Sequence, residues 1–244
     1  MSDYADLLFI NDDAKVLEDL LSNEDWKPEK MNEDVKNIYS IVVNKKKIDW
    51  IIKTYSCQKY AKRESEILNK LKTVDNVPKV LAVSLSRKIN CVIMSKASGM
   101  DLIDYINDKG NFTEQEIKPI VKKILQILEK IHNLNVVHRD IKPENIIYDE
   151  DTGQITLIDF ECKQTKEYLS PEQANGQVIT NKTDLFSLGI TIYFLVYDRR
   201  PKNPIHYPKT WSIDFRDFLQ RLLEKDVNLR YNATEALNHP WLTE

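Results

Sequence analysis

Glycine is scarce in this chain of 244 residues: there are 5, and none precedes Gly99. Backbone N–H groups can close on a phosphate where residues carry no Cβ, so residues 1–98 hold no glycine-rich phosphate loop. Cys57, Cys91 and Cys162 are odd in number and widely spaced, which gives neither a zinc-binding spacing nor a disulfide framework. Long apolar runs are missing too. The longest, Leu185 to Tyr197, covers 13 residues, too short for a bilayer and suited to a buried core helix. The first residues, MSDYADLLFINDD, are acidic where a signal peptide would be basic, so a cytoplasmic location is expected. No internal repeat or low-complexity segment is visible.

The net charge is only −3, but it is unevenly spread. Residues 1–34 carry eleven acidic and three basic side chains, 3 − 11 = −8, which leaves +5 for the rest. A mildly basic remainder suits phosphate ligands without implying nucleic acid. Val16, Leu17, Leu20 and Leu21 fall at helical spacing after Asp12 and Asp13, so residues 1–30 are expected to be an acidic extension whose helix packs on the following domain. With 42% hydrophobic and 30% charged residues, the chain can bury one substantial core.

The densest chemistry lies at His138 to Asn145, HRDIKPEN. A carboxylate at Asp140 can orient a hydroxyl nucleophile and take its proton, an effect worth about 10²- to 10⁴-fold. Lys142 would neutralise charge on a transferring phosphoryl group. Asn145 offers a neutral oxygen to a hard cation such as Mg²⁺. A second, anionic ligand is then needed, and the pattern NIIYDEDTGQITLIDF predicts a hairpin that delivers Asp159 beside this loop.

HRDIKPEN followed by IDF resembles the eukaryotic protein kinase superfamily, and Lys142 its serine/threonine branch. The resemblance runs from about Lys36 to the C-terminus. In IDWIIK, Lys53 resembles the strand lysine that holds the α- and β-phosphates of ATP; in AKRESEILNKL, Glu64 matches the helix glutamate that orients it, with Glu66 as the competing register. VIMSKASGMDL resembles the strand and hinge that receive adenine, which puts Met94 at the gatekeeper, Ser95 and Ala97 in the hinge and Asp101 at a ribose contact. SPE at Ser170 to Glu172, DLFSLG from Asp184 and Arg230 match further blocks, Arg230 as the partner of Glu172 and Asp184 as an anchor of the catalytic loop. The tail EALNHPWL resembles the calcium/calmodulin-dependent group. The implied fold is α+β and two-lobed, a small mainly antiparallel β lobe with helix C (about 31–95) and a larger mainly helical lobe (about 98–244).

Four departures bear on activity. The phosphate-loop region within Met31 to Tyr39 has no glycine and carries Glu33 and Asp34; Ile51 stands where the family has a small residue under adenine. Glu161 replaces the glycine after Asp159 and Phe160, and 12 residues separate Asp159 from Glu172, leaving little chain for a phosphorylated regulatory loop. Thr165 matches the threonine that contacts the catalytic aspartate, and Arg139 is expected to lack a phosphate partner. The resemblance implies an ATP- and Mg²⁺-dependent serine/threonine kinase acting on a protein, with catalytic Asp140 and Lys142, and with Asn145 and Asp159 on the metal. The alternative is a pseudokinase that serves as a binding or inhibitory module. Neither reading calls for nucleic acid or membrane.

Overall fold

The computed structural model describes residues 8–9, 26–31, 38–43, 46–85, 90–161, 163–202 and 205–243. These fall into two compact units, one of residues 1–73 and 77–97, the other of residues 74–76 and 98–244. The first unit carries an antiparallel sheet and the second is mainly helical, an α+β arrangement.

In the first unit the described strands are β1 (Leu8–Phe9), β2 (Trp26–Lys30), β3 (Ile38–Val43), β4 (Lys46–Thr54), β5 (Val80–Leu85) and β6 (Asn90–Ser95). They form one antiparallel sheet in the order β1-β5-β6-β4-β3-β2. The centre is β-branched: Ile52 and Ile93 face each other across β4 and β6 and are both fully buried. Helix α1 (Gln58–Lys70) packs on β5 and β6 through Ala61, Glu64, Ser65 and Leu68, the i, i+3, i+4, i+7 stripe of an amphipathic helix. One position of that stripe is a carboxylate, which must therefore find a partner inside.

The stretch just before residue 31 takes part in the sheet. Trp26 to Lys30 pair residue by residue with Val43 to Tyr39, so the end of the supposed extension is a strand of the sheet. The sequence WKPEK gives little β signal, and Pro28 is tolerated because β2 is an edge strand in which one missing N–H breaks no central ladder. The stretch around Val16 to Leu21 lies outside the described residues, as do Glu33, Asp34 and Cys162.

The second unit contains a small sheet of β7 (Met100–Asp101), β8 (Ile146–Asp149) and β9 (Gln154–Leu157), and the helices α2 (Leu102–Lys109), α3 (Glu114–Asn133), α4 (Pro171–Ala174), α5 (Lys182–Tyr197), α6 (Ile213–Leu222), α7 (Ala233–Leu237) and α8 (Pro240–Thr243). The β8–β9 hairpin is the one expected from NIIYDEDTGQITL. Helix α3 opens with a capping box of Thr113 and Glu116 and tolerates Pro119 near its start. Helix α5 buries residues all around its circumference from Thr183 to Leu195, the mark of a core helix.

Two local features fix the small sheet. Asn76, in left-handed backbone, donates its Nδ2 to Ile155 O at 2.8 Å and accepts Leu157 N–H at 3.0 Å. Gly99 has φ +102°, and a Cβ there would lie 2.2 Å from Tyr148 O, so only glycine lets this segment run against β8. Among the described residues no helix is long and apolar enough to cross a membrane.

Candidate active site

The loop that begins at His138 is held by Asp184. This carboxylate, at the start of α5 and fully buried, accepts His138 N–H at 2.9 Å and Arg139 N–H at 2.7 Å, and His132 Nε2 lies 2.8 Å away. Burial works to raise its pKa, but the His132 hydrogen bond, the nearby imidazoles and the Arg139 N–H outweigh it and hold the group below the usual carboxylate range. His138 Nε2 reaches Ile158 O at 2.9 Å, and its ring packs on buried Phe160 with centroids 4.6 Å apart. His138 is thus a packing residue that ties the loop to the segment before Asp159. Arg139 and Asp159 both have positive φ, 73° and 67°, a conformation disfavoured for non-glycine residues that persists where surrounding bonds over-determine it.

Asp140 is 2% exposed and gripped on both oxygens. Thr165 N–H donates to Oδ1 at 2.9 Å and Asn145 Nδ2 to Oδ2 at 3.1 Å, while Lys142 Nζ stands 3.4 Å from Oδ2 and donates to Thr165 Oγ1 at 3.0 Å. Asn145 Nδ2 also donates to Asp140 O at 2.8 Å. Both contacts use the amide nitrogen, so Asn145 turns its Oδ1 lone pairs away from Asp140. That donor set, one neutral amide oxygen on the loop and one carboxylate at Asp159, fits a hard divalent cation. Asp140, Lys142 and Asn145 therefore form one cluster, joined by Ile158 N–H donating to Asn145 O at 3.0 Å, one residue before Asp159.

The first unit holds a second cluster. Lys53, on β4, lies 2.7 Å from Glu64 Oε2 on α1, and Tyr55 OH donates to the same oxygen at 2.6 Å. Glu64 is 1% exposed, whereas Glu66 is exposed and faces Lys62 at 3.9 Å, so it is Glu64 that pairs with Lys53. Met94 is buried on β6 directly across from Ile51. Ser95 Oγ accepts Lys79 N–H at 2.9 Å, and Ala97, half-buried, ends the unit. Asp101, in the second unit, caps α2: its Oδ1 accepts Ile103 N–H at 3.0 Å and Asp104 N–H at 2.9 Å. Burial raises its pKa against these bonds. Its carboxylate is partly committed to the helix, a duty the sequence reading did not assign.

The short segment after Asp159 is tied down along its length. Glu161 is buried and pairs with Lys163 at 2.8 Å. Tyr168 O accepts Ser187 Oγ–H at 2.8 Å, and Ser170 caps α4 reciprocally with Gln173. Gln173 Nε2 reaches back to Arg139 O at 3.1 Å. Glu172 and fully buried Arg230 form a two-pronged pair, 2.6 and 3.0 Å, and Thr183 Oγ1 adds a third donor at 2.9 Å. Arg139 Nε, by contrast, is buried without a hydrogen-bond partner.

A profile of the protein kinase domain matches residues 31–242. The chain belongs to the protein kinase family. Its kinase domain is 30% identical over 249 residues to Myosin light chain kinase A of Dictyostelium discoideum, covering 86% of this chain and 81% of that one. It is 28% identical to CDPK-related kinase 5 of Arabidopsis thaliana over 75% of this chain, and spans 36% of that relative's length. CaM kinase-like vesicle-associated protein of Homo sapiens is 25% identical, with 78% of this chain and 48% of that one covered. These relatives place the kinase domain in the CaM-kinase-like group. Among solved structures, the Cydia pomonella granulovirus kinase PK-1 superimposes with TM-score 0.80 at 20% identity, over 94% of this chain and 98% of that one. The Rad53 kinase domain, solved with SCD2 and AMPPNP, gives 0.72 at 23% identity over 91% of each chain. Both show the fold.

Sequence reasoning missed three contributors to these clusters. Tyr55, just past the end of β4, carries no signal in sequence, yet its hydroxyl donates to the buried Glu64. His132 and Gln173 lie 52 and 34 residues from the groups they bind, Asp184 and Arg139 O, and no local pattern links them. The faint signal was a polar residue inside an apolar helical stripe: His132 follows the buried Ile131 at the end of α3.

Proposed function

We propose that this kinase domain transfers the γ-phosphoryl group of ATP to a serine or threonine hydroxyl of a protein. The observation that carries this reading is the state of Asp140. Each of its carboxylate oxygens accepts one hydrogen bond within the protein and retains lone-pair capacity for another. A base so fixed can orient a hydroxyl and take its proton without first reorganising. Lys142, between Asp140 and Thr165, is the fixed positive charge for the transferred group. Asn145 Oδ1 and Asp159 would hold Mg²⁺, which supplies charge neutralisation at the phosphates when bound. Lys53, oriented by Glu64 and through it by Tyr55, would bind the phosphates; Met94, Ser95 and Ala97 would border adenine and Asp101 the ribose. The short activation segment, already bonded to the catalytic loop through Thr165 and Gln173, fits an enzyme that needs no loop phosphorylation.

A second reading, a pseudokinase that binds a protein partner with weak or no turnover, is favoured by the absence of glycine before Gly99 and by Glu161, buried and paired with Lys163 in place of a glycine. Thermal melting with ATP, with and without Mg²⁺, on the wild type and on Asp159→Ala tests nucleotide use. Labelled phosphate incorporation then tests chemistry: it should fall by about 10²- to 10⁴-fold in Asp140→Asn while the ATP-dependent melting shift persists. A wild type with no Mg²⁺-dependent shift would rule out the catalytic reading.

A further inference from the structure

Arg199, Arg200 and Lys202 follow directly on the C-terminus of α5 and all three are exposed. With Phe194, Tyr197 and His206 they border a groove of about 670 Å³. A second hollow of about 580 Å³ shares His206 and is bordered by Ile205 and by Ile213, which is 76% exposed. The two guanidiniums are held over aromatic faces, Arg199 at 5.7 Å from the Tyr197 ring and Arg200 at 5.2 Å from Tyr168 and 5.6 Å from Phe194. Stacking fixes the planes; Arg200 also hydrogen-bonds the Tyr168 side chain, while Arg199 keeps its N–H edge for a ligand. Among the described residues none of the three cations pairs with a carboxylate.

Cations at a helix C-terminus have an ordinary explanation, the negative end of the helix dipole, worth about half a charge. Here that half charge and Asp198 face three cations, so about +1.5 remains uncompensated in the groove. The groove also lies close to the chemistry. Arg200 covers Tyr168, three residues along a 3₁₀ turn from Thr165, whose N–H holds Asp140. At about 2 Å of rise per residue that is about 6 Å, and an extended peptide advances about 3.3 Å per residue. A side chain a few positions from the acceptor hydroxyl can therefore reach it.

We infer that this groove is a docking site for an acidic segment of the protein substrate, with Arg199, Arg200 and Lys202 meeting carboxylates and Ile213 an apolar side chain beyond them. The inference deepens the phosphoryl-transfer reading and rests on it only for calling the peptide a substrate. The lining favours peptide over other polyanions, because the neighbouring hollow combines Ile205 and Ile213 with the side chains of Arg216, Asp217 and Gln220, a mixture that suits a polypeptide.

The test is fluorescence anisotropy of the full chain with a labelled alanine-based peptide that carries consecutive glutamates followed by a leucine, against the same peptide with glutamines. The glutamate peptide should bind about tenfold more tightly, as several screened surface pairs acting together would give, and the gap should shrink with salt. Arg199→Glu with Lys202→Glu should abolish the preference; Arg199→Gln with Lys202→Gln should reduce it, which guards against misfolding of the reversed variant. Arg200 is left in place because it packs on Tyr168. Equal binding of the two peptides, a preference that survives charge reversal, or a single-stranded oligonucleotide of equal charge binding as tightly as the glutamate peptide would each overturn the proposal. If phosphate transfer is absent but the peptide pattern holds, the docking site stands and the kinase reading fails; transfer without any acidic preference gives the reverse.

Discussion

Replacing Glu172 by glutamine should make the helical unit less stable and less sensitive to acid at the same time. Although burial works to raise it, the Arg230 guanidinium holds the Glu172 pKa down from 4.5 to about 2. A difference of that size corresponds to about 3 kcal/mol of folding stability at neutral pH. Because the folded-state value lies below the unfolded one, the unfolded chain binds more protons between them, and stability rises with pH in that window. The contribution is complete above about pH 5 and is lost as pH falls towards about 2. Glu172→Gln keeps the shape but leaves fully buried Arg230 without its counter-charge, a change that costs about 3–5 kcal/mol. Equilibrium urea unfolding of wild type and variant at pH 7 and pH 3 reads both effects. The variant should lose about 3 kcal/mol at pH 7, and the gap should narrow by about 2 kcal/mol at pH 3. A gap that stays constant with pH, or a loss under about 1 kcal/mol at pH 7, would refute the assignment of this stability to the ion pair.

Tyr55→Phe removes a donor to Glu64 and should lower the melting point of the sheet unit by an amount equivalent to about 1–3 kcal/mol, with ATP affinity reduced if Lys53 binds phosphate. Gly99→Ala places a Cβ 2.2 Å from Tyr148 O at φ +102° and should cost at least about 2 kcal/mol, measured by urea unfolding. Asp184→Asn can still accept but loses its charge against two backbone N–H groups and His132; turnover should fall with little change in the KM for ATP, and limited proteolysis should cut the His138 to Asn145 loop sooner.

The second unit was legible in the sequence because its signals are local. A capping box, an apolar hairpin and an eight-residue loop each state their structure within one short window, and Asp140, Lys142 and Asn145 fall into one cluster for that reason. The Lys53–Glu64 pair was legible through the register of α1, where Glu64 shares a face with Ala61 and Leu68 and Glu66 does not. What escaped was non-local. Strand β2 is made by pairing with β3, not by its own residues, since WKPEK lacks β propensity. Asp101 as a helix cap and Gln173 as a brace on Arg139 depend on where a side chain turns, which spacing does not fix.

The two-residue strand β1 has a consequence out of proportion to its length. Leu8 and Phe9 pair with Val83 and Ala82 on β5, the strand that would otherwise end the sheet on that side. An open edge beside apolar neighbours is a template for adding strands from other copies of the chain. Shortened forms that begin after Phe9 should therefore be harder to keep in solution at high concentration, with light scattering rising before any loss of secondary structure. Those few residues act as a cover for the sheet edge, and expression boundaries chosen from the kinase profile alone would remove it.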